Sequence, residues 1–342
     1  MDLSAERLAE RLSLGELGRL KQRVSERLQT TSLDVPLRLA RLDDAYVVEE
    51  LINHGTYGYV WRARRRRRQQ GSDDGEVVAL KQIKIQPHAS NVGFPIQALR
   101  EIHSLQALQG HPHIVNLYEV VVREVCQSWE VFLAIEYFDT DVKRVLPRLD
   151  LDHARQIFYQ VLLGLSFIHV SGYMHRDLKW GNVLLNAQTG RVVLADFGMC
   201  RRENAGRRYS FVVVTLHYRS PELLMLQDQY VGSAVDMWSM GCMLYELINR
   251  GEVLFPGASE LEQLNLIWEI LGTPNQDPQD WRRGWLAFPP MLHKLGLELR
   301  EQNERKLAGK EFPLLERMLA LDPGKRITAS EALTSEWFVK SF

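Results

Sequence analysis

Asp177, Lys179, Asn182 and Asp196 lie close together in the sequence, in two neighbouring loops. The runs between those loops, Asn182 to Leu185 and Val192 to Leu194, are short and rich in leucine and valine, and Gly190 separates them. This pattern predicts a hairpin of two short strands. A hairpin returns its ends to one place, so Asp177, Asn182 and Asp196 can converge there. A base for an attacking hydroxyl beside oxygen ligands for Mg²⁺ is the equipment of phosphoryl transfer.

The bulk of the chain bounds what can surround that site. Its 342 residues suffice for a large core and for a two-lobed domain with an extension. A net charge of −1 gives no global pull toward nucleic acid or an anionic membrane. Three cysteines, Cys126, Cys200 and Cys242, are too few for a disulfide framework and fit a reducing compartment. No apolar run is long enough to span a bilayer, and no signal-peptide core is evident.

His175-Arg176-Asp177-Leu178-Lys179 with Asn182, followed by Asp196-Phe197-Gly198, resembles the catalytic and metal-binding loops of eukaryotic protein kinases. The resemblance implies an α+β fold of two lobes, a mainly β N-lobe over residues 46–138 and a helical C-lobe over 139–338. It leaves a short tail at 339–342. In that family Asp177 would accept the substrate proton, Lys179 would stabilise the transferred phosphoryl, and Thr215 would join the catalytic set. Asn182 and Asp196 would bind Mg²⁺.

The elements that position these residues follow in order. Leu3, Leu8, Leu12, Leu14, Leu17, Leu20, Val24 and Leu28 recur near helical spacing and predict an amphipathic helix to about residue 30, weakened midway by Gly15 and Gly18. It reads as a partner-binding arm or as an extension lying on the surface. Residues 31–45, with Pro36, read as a linker. Tyr46 to Val60 predicts strand, turn, strand. Within it, Ile52, Asn53, His54, Gly55, Thr56, Tyr57, Gly58, Tyr59 and Val60 resemble the family's glycine-rich loop over the ATP phosphates. Asn53 replaces the first glycine, and asparagine tolerates a left-handed backbone. Thr56 and Tyr57 match positions where relatives take inhibitory phosphates. The basic run Arg62 to Arg68 reads as a nuclear-import patch or as a solvated loop.

Val77 to Lys81 predicts the next strand, and the resemblance gives Ala79 and Lys81 to ATP, with Lys81 paired to Glu101. Pro95-Ile-Gln-Ala-Leu-Arg-Glu101 resembles the cyclin-contacting helix of cyclin-dependent kinases, with Leu99 entering a cyclin pocket or packing internally. Val131 to Phe138 resembles the hinge strand, so backbone groups of Glu136 and Phe138 would meet adenine and Asp141 the ribose. Leu184 completes that set. Asp152 is the expected cap of a helix carrying Ile157, Phe158, Val161, Leu162, Leu165 and Ile168.

Residues 199–222 resemble the activation segment of cyclin-dependent kinases. Ser210 falls where those kinases carry an activating phosphate added by another kinase, and Arg100, Arg176 and Arg201 would receive it. Val214 with Arg219 resembles the arrangement that leaves a carbonyl unpaired beside the substrate, favouring Ser/Thr-Pro sites. Asp236 would orient the catalytic loop and Arg326 would pair with Glu222. The whole reads as a cyclin-activated serine/threonine kinase of nucleus or cytoplasm, acting on proteins rather than on nucleic acid or membrane. A scaffold without phosphotransfer and a cyclin-independent kinase are the alternatives.

Overall fold

Valine-rich and leucine-rich stretches between Leu39 and Glu136 pair into one six-stranded sheet. The structure is a computed structural model. It describes residues 39–55, 58–66, 75–83, 96–125, 128–204, 206–227, 230–272 and 311–338. The expected N-terminal helix, Thr56, Tyr57, Pro95, most of the 259–310 insert and the 339–342 tail lie outside the described residues. The chain divides into two units, residues 1–110 with 115–138 and residues 111–114 with 139–342.

The first unit contains β1 (Leu39–Arg41), β2 (Tyr46–Gly55), β3 (Gly58–Arg65), β4 (Val77–Ile83), β5 (Leu117–Val125) and β6 (Ser128–Glu136). Their order in the sheet is β1-β5-β6-β4-β3-β2. All neighbours run antiparallel except β1, which lies parallel to β5 with Leu39 opposite Val120. The linker expected over 31–45 therefore stops short of residue 39. Residues 39–41 form an edge strand and Leu42–Ala45 one helical turn. Hydrophobic burial explains the difference, because Leu42 and Tyr46 are buried in a cluster with Ala63, Val78, Leu80, Val121 and Phe132. The Tyr46 hydroxyl donates to Glu119 at 2.6 Å, and burial pushes its pKa up, so it keeps its proton.

The basic run is not a loop over its first part. Arg62 and Arg64 lie on β3 and both pair with Glu49 of β2, while Arg65 bonds Glu119 at 2.7 Å. The Ile96–Leu108 helix completes the described part of this unit and buries Leu99, Ile102, Leu105 and Leu108.

The second unit is mainly helical. The Leu151–Val170 helix buries Ile157, Phe158, Val161, Leu162, Leu165 and Ile168 on one stripe. Its cap is Asp150 rather than the expected Asp152. Asp150 has extended backbone and accepts from the His153 amide at 2.9 Å, while Asp152 sits in the first turn and bonds Arg155. The Gly232–Ile248 helix is buried almost all round, as a helix inside a core must be. Around it stand the Glu260–Leu271 and Glu311–Met318 helices and several one-turn helices.

Candidate active site

The predicted hairpin forms, with Val183–Leu185 antiparallel to Val192–Leu194. Leu184 lies on it, opposite Val193 on one side and Asp141 on the other. Two further contacts tie the loops at its ends. The Ala195 amide donates to the Asn182 carbonyl at 2.9 Å, and His175 Nε2 donates to the Ala195 carbonyl at 3.1 Å.

The loop carrying Asp177 is fixed from behind by one carboxylate. Asp236, fully buried, accepts from the amides of His175 at 2.8 Å and Arg176 at 2.7 Å and from His169 at 3.0 Å. These bonds hold Arg176 at φ 64°, a left-handed backbone that a non-glycine residue adopts only when its surroundings demand it. Trp180, also buried, anchors the other side of the loop by donating to the Met243 carbonyl at 3.0 Å.

So held, Asp177 presents a carboxylate oriented through both of its oxygens. Oδ1 accepts from the Thr215 hydroxyl at 2.8 Å and its amide at 3.2 Å. Oδ2 accepts from Lys179 Nζ at 2.9 Å and Asn182 Nδ2 at 3.1 Å. Lys179 also donates to Thr215 Oγ1 at 2.9 Å, closing a ring of three side chains. Asn182 Nδ2 makes a second bond, to the Asp177 carbonyl at 2.7 Å. The amide nitrogen is thereby committed to the loop and Oδ1 is left as the acceptor. Asp196 stands at φ 60°, ψ 70°, with Phe197 buried and edge-on to His175 at 5.0 Å. An amide oxygen and a carboxylate are hard donors that suit a small divalent cation.

In the first unit, Lys81 Nζ donates to Glu101 Oε1 at 2.6 Å, with side-chain exposures of 12% and 9%. Ala79 is buried beside it on β4, and Val60 is Lys81's cross-strand partner. Asn53 does not need the left-handed backbone considered for it. It lies in the β2–β3 ladder opposite Val60, with Ile52 before it and His54 opposite Tyr59. The two strands close at Gly55 opposite Gly58. Gly58, at φ 146°, has the stricter requirement, because a Cβ there would sit 2.1 Å from the Gln82 carbonyl oxygen.

At the end of β6, the Glu136 side chain accepts from Asn116 at 2.9 Å and Phe138 is buried. In the second unit, Asp141 caps the Val142–Val145 turn, accepting from the Arg144 amide at 3.1 Å and pairing with its guanidinium.

The activation segment corrects one expectation. Val214 is left-handed at φ 67°, and its carbonyl is not unpaired, since Arg219 donates to it from Nε at 3.3 Å and from its terminal nitrogen at 3.0 Å. Arg219 is held in turn by Glu260 at 2.5 Å. A substrate amide facing Val214 would find this acceptor already taken. Ser210 is exposed, while Arg176 and Arg201 lie near it in the same unit and Arg100 stands on the Ile96–Leu108 helix of the other. Leu99 is 7% exposed, which agrees with internal packing.

Sequence reasoning passed over Trp180, Tyr218, Tyr230 and Glu203. Tyr218 donates to Glu246 at 2.6 Å beneath the segment, and burial raises the pKa of both groups. Glu203 accepts from the Gly232 amide at 2.6 Å and so caps a helix that has no side-chain cap of its own. Nothing local in the sequence signals these long-range partners.

No helix among the described residues is long and apolar enough to cross a membrane. The protein kinase domain family matches residues 46–338. The chain is 38% identical over 303 residues to a protein named cyclin-dependent kinase G-1 of Oryza sativa subsp. indica, covering 84% of this chain and 41% of that one. It is 37% identical over 309 residues to the serine/threonine-protein kinase ppk23 of Schizosaccharomyces pombe, covering 87% of this chain and 73% of that one. With the cell division control protein 2 homolog 3 of Trypanosoma brucei brucei it shares 38% identity, covering 86% and 92%. The chain spans less than half the length of the rice kinase it matches. The charged loops, the Lys81–Glu101 pair and these relatives agree: the chain belongs to the protein kinase domain family, in its cyclin-dependent branch.

Proposed function

We propose that this chain is a serine/threonine kinase of the cyclin-dependent type, transferring the ATP γ-phosphate to Ser or Thr followed by proline. The observation that carries the reading is the Asp177 carboxylate, oriented by Thr215, Lys179 and Asn182. ATP supplies the phosphoryl group, and Mg²⁺ offsets its charge. Asp177 positions the incoming hydroxyl and takes its proton. Lys179, bonded to both Asp177 and Thr215, adds positive charge at the same point. Asn182 Oδ1 and the Asp196 carboxylate are the oxygen donors offered to the cation. Lys81, fixed by Glu101, offers an ammonium to the nucleotide phosphates. Glu136 and Phe138 supply backbone groups for adenine, and Asp141, although it caps a turn, keeps the ribose role the family gives it.

Substrate choice follows from Val214. With its carbonyl held by Arg219, the residue after the phosphoacceptor loses an amide partner, and proline has no amide hydrogen to lose. The proposed partner is a cyclin on the Ile96–Leu108 helix. Since Leu99 is buried, such a partner would have to draw it out or use its neighbours. Ser210 is the proposed acceptor for an activating kinase, and nucleus or cytoplasm the proposed compartment.

The test is phosphate transfer from Mg-ATP to a Ser-Pro peptide library, wild type beside Asp177→Asn, with and without a panel of cyclins. Transfer that needs a cyclin and fails in the variant is the expected result. Transfer without cyclin would remove the partner from the reading. No transfer under any condition would remove the activity.

A further inference from the structure

Ser210 is exposed, but the residue before it is buried. Tyr209 is 4% exposed. Its ring lies 5.9 Å from the Arg176 guanidinium carbon and 5.9 Å from that of Arg201. These are two of the three arginines that would receive a Ser210 phosphate. Two guanidinium groups near one another repel, and a phosphate beside them reduces this by neutralising charge. An aromatic face relieves it in another way, because the negative face of the ring attracts a guanidinium within about 6 Å. In this structure the ring of Tyr209 stands in that relation to both.

A second tyrosine completes the arrangement. Tyr230 lies 5.6 Å from Tyr209, ring to ring. Its hydroxyl accepts from Arg176 at 3.1 Å and donates to the Ser210 carbonyl at 2.9 Å. The remaining Arg176 donors reach the Met199 carbonyl at 2.9 and 2.8 Å. The Tyr209 hydroxyl accepts from the Asn204 amide at 2.7 Å, closing the segment on itself. Glu203 binds the start of the Gly232–Ile248 helix. Met199, Glu203, Asn204, Tyr209 and Ser210 are thus each fastened by this chain's own groups.

We propose that Tyr209 and Tyr230 are positioning residues that hold the activation segment in its ordered course before any phosphate reaches Ser210. Phosphorylation then adjusts an ordered segment rather than creating one. The consequence for catalysis rests on the kinase reading above. The ordering itself does not, and the two can be tested separately.

The first measurement is hydrogen exchange, read by mass spectrometry, on the unphosphorylated full chain. Peptides within 203–214 are expected to be protected in the wild type and in Ser210→Ala. Tyr209→Leu should raise their exchange at least about tenfold by removing local order, leaving peptides of the Leu151–Val170 helix unchanged. Tyr209→Phe, which keeps the ring, should restore most of the protection. A wild-type segment that exchanges freely until Ser210 is phosphorylated would overturn the proposal. So would equal protection in Tyr209→Leu and wild type. Should Tyr209→Leu fail to fold, Tyr230→Phe, which removes only the hydroxyl bridge, is expected to loosen the same peptides about threefold or more, and no loosening there would also overturn it.

The second measurement is peptide phosphorylation by the unphosphorylated protein, with the cyclin that its activity requires, varying peptide and ATP in turn. Against the unphosphorylated wild type, which like the variant carries no phosphate at this position, Ser210→Ala should match kcat/KM within about threefold. Tyr209→Leu should lose about tenfold or more, through the peptide KM, with the ATP KM unchanged. A Ser210→Ala variant as impaired as Tyr209→Leu would overturn the catalytic consequence while leaving the exchange result to stand alone.

Discussion

Each unit of this molecule contains a basic residue bound to a buried glutamate, and the two pairs are built differently. Arg326 and Glu222 are both fully buried in the second unit. Their contact is bidentate, at 2.5 and 2.7 Å. Arg326 spends its other donors on the carbonyls of Ala320, Ala234 and Leu321 and stacks over Trp238 at 5.0 Å. In the first unit Lys81 Nζ meets Glu101 at 2.6 Å, and both side chains retain some exposure. A planar guanidinium with every donor filled is a fixed part. An ammonium on a four-carbon stem is a point charge that a competing anion can share. The first pair is built to stay, and the second is built to be borrowed.

Three substitutions would break or sharpen that contrast. The largest effect is expected at Arg326→Met, which strands Glu222 in the core and should cost about 3–5 kcal/mol of stability in a denaturant titration. A loss below about 1 kcal/mol would mean that the pair is not a structural anchor. Lys81→Met should cost less, about 1.5–3 kcal/mol, the range for charge-assisted hydrogen bonding, because this pair is partly exposed. Its nucleotide-stabilised melting shift should nevertheless vanish, whereas Arg326 variants that still fold should keep theirs. Arg326→Lys retains the charge but gives up the two-pronged contact, so a loss of about 1.5–3 kcal/mol is expected. Equal stability to the wild type would show that charge alone suffices there.

The smallest expected effect is on pH. Burial lowers the pKa of His113, whose Nδ1 donates to the Val192 carbonyl at 2.8 Å, with Arg191 and His111 as its charged or titratable neighbours. The folded state therefore favours the neutral ring. The stability this contributes is complete above the ordinary imidazole value of about 6.5 and is lost as pH falls below it, through the lowered folded value. Melting temperature should decline between about pH 7 and 5, and less so in His113→Gln.

Both glutamate pairs were legible in the sequence because each belongs to a spaced motif whose partners the family resemblance supplies. The catalytic hairpin was legible for a more local reason, two β-prone runs around a glycine. Other contacts had no such signal. Asp150 and Asp152 are equally good helix caps by composition, and only the extended backbone at Asp150 decides between them. Glu203 reaches a helix that starts 29 residues later. Val214 was read correctly as special and incorrectly as carrying a free carbonyl, because motif spacing places Arg219 nearby without saying what its guanidinium grips. The strand at 39–41 was hidden by a linker-like composition and by a partner some eighty residues downstream, with Leu39 opposite Val120.

That strand carries a consequence for synthesis. β1 leaves the ribosome well before β5, and parallel pairing gives it no hairpin route to its neighbour. Leu42 and Tyr46 pack in a cluster that includes Val121 and Phe132, so their full burial waits for β5 and β6. Long sequence separation makes such docking slow. The residues made early in this unit are thus among the last to be secured, and their apolar side chains stay uncovered until β5 and β6 have emerged. A holding chaperone would have its best opportunity in that interval.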